Sequence, residues 1–152
     1  MNVSIIERRK DDCPELRNLF LKVRQATFLW TDSSTFSLMD FDKATQGEYI
    51  LVALSDDKLI GFISVWLTDH FIHHLYVDES YHNCGVGTKL LNKVIEEIGL
   101  PLGLKCLEVN QKALEFYKRK GFVEKEKGIS EDGAYIYVEL QHPQTKIINK
   151  QL

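Results

Sequence analysis

Residues 79 to 99, ESYHNCGVGTKLLNKVIEEIG, constrain the fold more than any other stretch. Gly85 and Gly87 sit one residue apart, and directly after them Val86, Leu90, Leu91, Val94, Ile95 and Ile98 recur at the spacing of one helix face. A helix start presents unpaired N–H groups and a partial positive charge. A glycine lead-in lets the backbone come close to a ligand, so the pair can build an anion site. A plain strand-to-helix turn accounts for the glycines equally well. The helix lies between FIHHLYV and LKCLEV, two apolar runs that read as strands, and the whole has the length of a βαβ crossover.

The rest of the chain supplies layers for this unit to pack in. VSIIERR reads as an opening strand, and Leu16, Leu19, Phe20 and Val23 mark a helix over Pro14 to Thr27. A short helix is expected near Phe36 to Thr45, capped by Ser34 or Thr35. YILVALSDDKLIGFISVWL is two β-branched runs around Asp56-Asp57, a hairpin signal. Gly99, Pro101 and Gly103 break the glycine-led helix. NQKALEFYKRKG reads as a short helix with Asn110 as cap and Gly121 just past its end. FVEKEKGISEDGAYIYVEL is a second hairpin, turning near Glu131-Asp132-Gly133. The order β, helices, three strands, α, β, α, β, β predicts an α+β or mixed α/β layer fold in one domain over 1–152, with a polar tail over 141–152 expected to be mobile.

Composition excludes several partners. A net charge of −3 is too mild to argue for nucleic acid or an anionic membrane surface. Cys13, Cys84 and Cys106 are far apart and form no C-x-x-C pair, which predicts a reducing compartment and neither disulfides nor zinc. The opening MNVSIIERRKDD lacks the apolar core of a signal peptide, so a cytoplasmic location is expected. His70, His73 and His74 suggest a metal, but His70 and His74 would lie about 13 Å apart at roughly 3.3 Å per residue, and alternation would turn His73 and His74 to opposite faces. No metal is expected.

Two familiar phosphate motifs are absent. No G-x-x-x-x-G-K-[ST] string occurs, and Leu90 stands where a dinucleotide fingerprint needs its third glycine. LYVDESYHNCGVG instead resembles the acetyl-CoA signature of the GCN5-related N-acetyltransferases (GNAT): Arg or Gln, two residues, Gly, one residue, then Gly or Ala. Here that is His82-Asn83-Cys84-Gly85-Val86-Gly87, with His in the first place. LEVNQKALEFYKRKGF is similar to the family's later segment, with Asn110, Ala113, Phe116, Tyr117, Gly121 and Phe122 where that pattern has them. The resemblance implies a central mixed, mostly antiparallel sheet of about seven strands flanked by about four helices, the acyl-CoA N-acyltransferase fold.

The resemblance also implies an activity: transfer of an acetyl group from acetyl-CoA to a primary amine of a small molecule or peptide, by direct attack through a tetrahedral intermediate. Leu75, Tyr76 and Val77 would offer main-chain groups to the pantetheine arm. Asn83, Cys84, Gly85, Val86, Gly87 and Thr88 would wrap the diphosphate, with His82 as an added donor, and Asn110 would contact the cofactor. Tyr117 would lie near the thioester sulfur and act as the acid for the leaving thiolate. A free alkyl ammonium, with a pKa of about 10.4, must lose a proton before it attacks. Glu108, in CLEV, and His73 are the candidate bases; strand alternation would put His73 on one face with Leu75 and Val77.

The acceptor is expected against the segment after the first helix. Phe28, Trp30 and Phe36 are candidate substrate residues beside Phe41, and Asp32, Asp40 and Asp42 can attract a cationic amine; a small aromatic core and solvated loop acids explain both groups as readily. A non-catalytic acyl-CoA-binding sensor or interaction module on the same scaffold is the alternative, and a nucleotide-binding domain a weaker one. Pairing of exposed edge strands would give a homodimer.

Overall fold

The computed structural model describes residues 2–28 and 32–142. Two compact units divide the chain, residues 1–98 and 99–152.

In the first unit four strands pair antiparallel in sequence order: β1 (Val3–Glu7), β2 (Tyr49–Ser55), β3 (Lys58–Trp66) and β4 (Phe71–Val77). The β2–β3 hairpin closes on Asp56 and Asp57, whose φ angles of 48° and 69° are those of a mirror-image two-residue turn. Both strands are buried along almost their whole length, which their unbroken apolar runs require.

Helix α1 (Cys13–Thr27) buries Leu16, Leu19, Phe20 and Val23 against one sheet face, with Phe41, Ile50, Val52, Leu54, Leu59 and Phe62 completing that core. Helix α2 is shorter than expected, Asp40–Ala44, and neither Ser34 nor Thr35 caps it. Asp32 holds Ser33–Thr35 in a separate 3-10 turn by accepting from the Ser34 amide at 3.0 Å. Helix α3 (Val86–Ile98) packs Val86, Leu90, Leu91 and Val94 against the strands. Gly61 permits this approach: a Cβ there would stand 3.0 Å from the Tyr76 carbonyl oxygen and 3.4 Å from a Leu90 methyl.

The second unit orders its strands β5 (Leu102–Leu107), β7 (Gly133–Leu140), β6 (Val123–Ser130), all antiparallel. Gly99, with φ 92°, stops α3 as expected, but Gly103 lies inside β5 instead of breaking a helix. It leaves room for the Tyr137 ring, which leans across from β7 into the space a Cβ would fill. Helix α4 (Gln111–Arg119) starts on Asn110, whose side chain accepts from the Ala113 amide at 3.3 Å, and Gly121 follows it at φ 98°. Strand β6 is the sheet edge of this unit; its side chains are almost all exposed, and its register with β7 shifts between Glu124 and Glu126. No helix among the described residues is long and apolar enough to cross a membrane.

Candidate active site

After β4 the chain makes a 3-10 turn (Glu79–Tyr81) and a short loop before α3. Asp78 anchors the turn: it accepts from the Ser80 amide at 2.9 Å and from Lys22 Nζ at 3.0 Å, and these bonds hold its carboxyl below the usual range against the opposing effect of burial. Asn83 and Gly85 both take positive φ, 63° and 80°. Asparagine tolerates that region and glycine prefers it. Residues 82 to 85 are turn, and among the described residues no main-chain N–H from Asn83 to Thr88 makes a well-formed hydrogen bond; the first well-formed helical bond here runs from the Lys89 amide to the Gly85 carbonyl, 3.0 Å. Six consecutive amides at the start of a 13-residue helix are therefore available to an acceptor with several oxygens. A diphosphate fits that donor set.

His82 does not extend outward from this loop. Its Nε2–H donates to the Val77 carbonyl at 2.9 Å, tying the loop to the end of β4. Cys84 is exposed, with Sγ 3.6 Å from the His82 carbonyl.

Strand β4 departs from simple alternation. Val65 pairs with Ile72 and Ser64 with His74, so His73 is an extra residue in a β-bulge. The His73 and His74 rings consequently lie 5.9 Å apart, and alternation to opposite faces, with His73 on the side of Leu75 and Val77, does not hold. His74 Nδ1 and Ser64 Oγ share a hydrogen bond of 2.8 Å. Phe20, Phe62 and Tyr76 surround the His74 ring at 5.2, 6.2 and 5.5 Å. Loss of water lowers the His74 pKa to about 3, assisted by the charges of His73 and Arg24, so His74 is neutral near pH 7 and a poor base. The same enclosure pushes the Tyr76 phenol well above its ordinary range.

His73 is more exposed, and Glu48, one residue ahead of β2, meets its Nδ1. The Glu48 side chain is only 3% exposed. Its second oxygen, Oε1, is buried and has no hydrogen-bond partner among the described residues. Glu48 was not expected from the sequence; it stands in QGEYI, where nothing distinguishes it from a surface loop acid.

The acids expected to draw a cationic amine have other partners. Asp42 forms a two-pronged pair with Arg17 at 2.9 and 2.8 Å, which holds its carboxyl low. Asp40 accepts from the Ser37 amide and from Arg24, 2.8 and 3.0 Å, and is held low by those bonds in that order. Arg24 also lies over the Phe20 and Phe36 rings, at 5.0 and 4.0 Å. Phe28 approaches Tyr76 at 6.2 Å, Phe41 is core, and Trp30 lies outside the described residues.

In the second unit Tyr117 is 8% exposed, its ring 5.2 Å from both Phe116 and Phe122. Glu108 falls just past the end of β5, half-buried, its amide bonded to the Ala134 carbonyl at 2.9 Å. The Cys106 thiol is pushed up to about 11 by burial, which makes it unreactive near neutrality. Among the described residues no group of three or more His, Cys, Asp or Glu side chains is arranged to hold a metal ion.

Three comparisons bear on this geometry. The family model described as "Acetyltransferase (GNAT) family" matches residues 13–122. A relative from Methanocaldococcus jannaschii, described as an uncharacterized N-acetyltransferase, is 43% identical over 83 residues; the match takes in 45% of this chain and 36% of that protein. The chain thus matches little more than a third of that relative's length. Among solved structures, a GCN5-related N-acetyltransferase from Rhodopseudomonas palustris superposes with a TM-score of 0.78 at 19% identity, covering 93% of this chain and 97% of its own. The PaiA N-acetyltransferase from Thermoplasma acidophilum, solved in complex with coenzyme A, gives a TM-score of 0.73 at 18% identity over 93% of this chain and all of its own. At such identities the structures speak to the fold alone, and it is the acyl-CoA N-acyltransferase fold the sequence leads one to expect.

Proposed function

Since this chain belongs to the acetyltransferase (GNAT) family, we propose that it moves an acetyl group from acetyl-CoA to a primary amine of a small molecule or peptide. The six main-chain amides from Asn83 to Thr88, none of which makes a well-formed hydrogen bond among the described residues, carry this reading. They suit the coenzyme's diphosphate, and the dipole of α3 favours the negative charge. Leu75 to Val77 would lie along the pantetheine arm, and Asn110 would add a contact. His82, bonded to Val77, braces the loop rather than binding phosphate.

The reaction needs a neutral amine. An acceptor ammonium gives one proton to a base, for which His73 is the first choice and Glu108 the second. Its nitrogen lone pair then attacks the thioester carbonyl carbon, giving a tetrahedral oxyanion that a main-chain N–H can stabilise. The nitrogen gives its second proton to solvent water, the C–S bond breaks, and the CoA thiolate takes a proton from Tyr117, whose phenolate regains one from solvent. A phenol near pKa 10 suits a thiolate of similar basicity. The products are the N-acetyl amide and CoA thiol. Phe28 and Phe36, with Trp30, would form the acceptor side.

Thiol release from acetyl-CoA is the direct test, run with a panel of primary amines. Amine-dependent release supports transfer. Saturable acetyl-CoA binding with no release by any amine would instead identify a sensor on the same scaffold, and absence of binding would overturn both. Displacement of bound acetyl-CoA by NAD or ATP as readily as by CoA would point to a general nucleotide site.

A further inference from the structure

We propose that Glu48 is a positioning residue that fixes the tautomer and orientation of His73, so that the imidazole Nε2 is the atom receiving the acceptor's proton. This rests on the transfer reading above and names a residue that reading lacks. The geometry begins with the bulge. Because His73 is the extra residue opposite Ser64 and Val65, its ring leaves the ordinary alternation and stands beside His74. Phe71, two residues earlier, packs on it at 5.0 Å. That placement lets Glu48 reach His73 Nδ1 from the segment leading into β2, across the intervening strand.

With Glu48 ionised in this proposal, its carboxylate only accepts, so Nδ1 carries the proton and donates it to Oε2. The basic lone pair is then on Nε2. Two features separate this pair from an ordinary surface ion pair. The Glu48 side chain is 3% exposed, and its other oxygen is buried with no hydrogen-bond partner among the described residues. Structural ion pairs buried in this way normally satisfy both carboxylate oxygens. Here the carboxylate is directed at one imidazole, whose side chain is 41% exposed. Among the described residues, the charged and titratable groups near His73 include Glu48, His74 beside it on β4, and Arg24 of α1, felt at His74 and itself paired with Asp40. His74 is neutral and bonded to Ser64, so it neither competes for the proton nor repels an imidazolium near pH 7.

In the proton transfer, the N–H bond of the acceptor ammonium breaks and an Nε2–H bond forms, giving a neutral amine and an imidazolium. Glu48 takes no proton; it stabilises the imidazolium through Nδ1–H.

The test combines nitrogen-15 spectra of the full chain with kinetics of Glu48→Gln and Glu48→Asp. In the wild type the His73 signals are expected to show Nδ1 protonated and Nε2 bare at alkaline pH. Glu48→Gln is expected to lower kcat at least tenfold, with the KM for acetyl-CoA within twofold and no loss of Tm. Glu48→Asp, which keeps the charge, is expected to recover part of kcat and still reports should the Gln variant misfold. An Nε2–H tautomer in the wild type, or turnover in both variants equal to wild type, overturns the proposal. A wild type that releases no CoA with any amine defeats the transfer reading instead, and the nitrogen spectra still decide whether Glu48 sets the tautomer.

Discussion

The rings of His73 and His74 lie 5.9 Å apart although the two residues are consecutive in a strand. Regular pleating would send them to opposite faces. The bulge at His73 brings them together and gives them different environments: His74 enclosed by aromatic rings and bonded to Ser64, His73 paired with Glu48 and open to solvent on one side.

A pH effect on stability follows from His74. Its native pKa, about 3, is below the ordinary 6.5, so below pH 6.5 the unfolded state binds a proton that the native state does not. The stabilisation is complete above 6.5 and is lost as pH falls from there toward 3. With partial exposure discounted, urea unfolding at pH 5 should give a stability lower than at pH 7.5 by about 1–2 kcal/mol from this group. His74→Gln should flatten that slope. An unchanged slope would show that His74 is solvated in the native protein.

Gly85→Val tests the proposed diphosphate loop. Nothing lies within 4 Å of a Cβ there, so space is not the obstacle; the φ of 80° is. A β-branched residue held in that region costs about 1–3 kcal/mol, or the loop rearranges. Calorimetric titration should show acetyl-CoA binding weakened at least tenfold with Tm lowered only slightly. Wild-type affinity in this variant would remove the loop from the site.

Tyr117→Phe should lower kcat by about 10²-fold, the scale of a lost general acid, and leave the KM for acetyl-CoA nearly unchanged. The ring contacts with Phe116 and Phe122 survive the change, so the fold should be intact by circular dichroism. Full turnover in the variant would leave Tyr117 as a core aromatic and nothing more.

Gly103→Ala should destabilise the second unit by about 1–3 kcal/mol, since the added methyl meets the Tyr137 ring and the ring must move. Adding Tyr137→Ala should cancel the steric part. If the double variant is no more stable than the two single effects predict together, the collision is not the cause.

The parts of the fold that depend on neighbours in sequence were legible. Asp56-Asp57, Gly99, Asn110 and Gly121 each act within a few residues of themselves, and each ends or turns an element where expected. The turn that leads into α3, with Gly85 at positive φ, was legible for the same reason. Glu48 and the bulge were not, because a register shift arises from how β4 lies on β3, and no periodicity within FIHHLYV marks the extra residue. The ion pairs of Asp40 and Asp42 escaped likewise: Arg17 is 25 residues from Asp42, and only the packing of α1 on α2 joins them. Gly103 was misread because a glycine that ends a helix and one that admits a ring look alike as letters.

Strand β6 is bare on nearly every side chain, and at the rim of its sheet one line of main-chain groups has no neighbouring strand among the described residues of its unit. Such a rim is adhesive toward any extended chain that drifts against it. Glu124, Lys125, Glu126 and Lys127 alternate in sign along it, and the register shift at Lys125 bends it out of true. A second molecule laid alongside must match both the kink and the charge sequence, which few unfolded segments can do. Replacing the two lysines by threonine would smooth that rim and favour indiscriminate strand-on-strand stacking, visible as light scattering that grows with protein concentration.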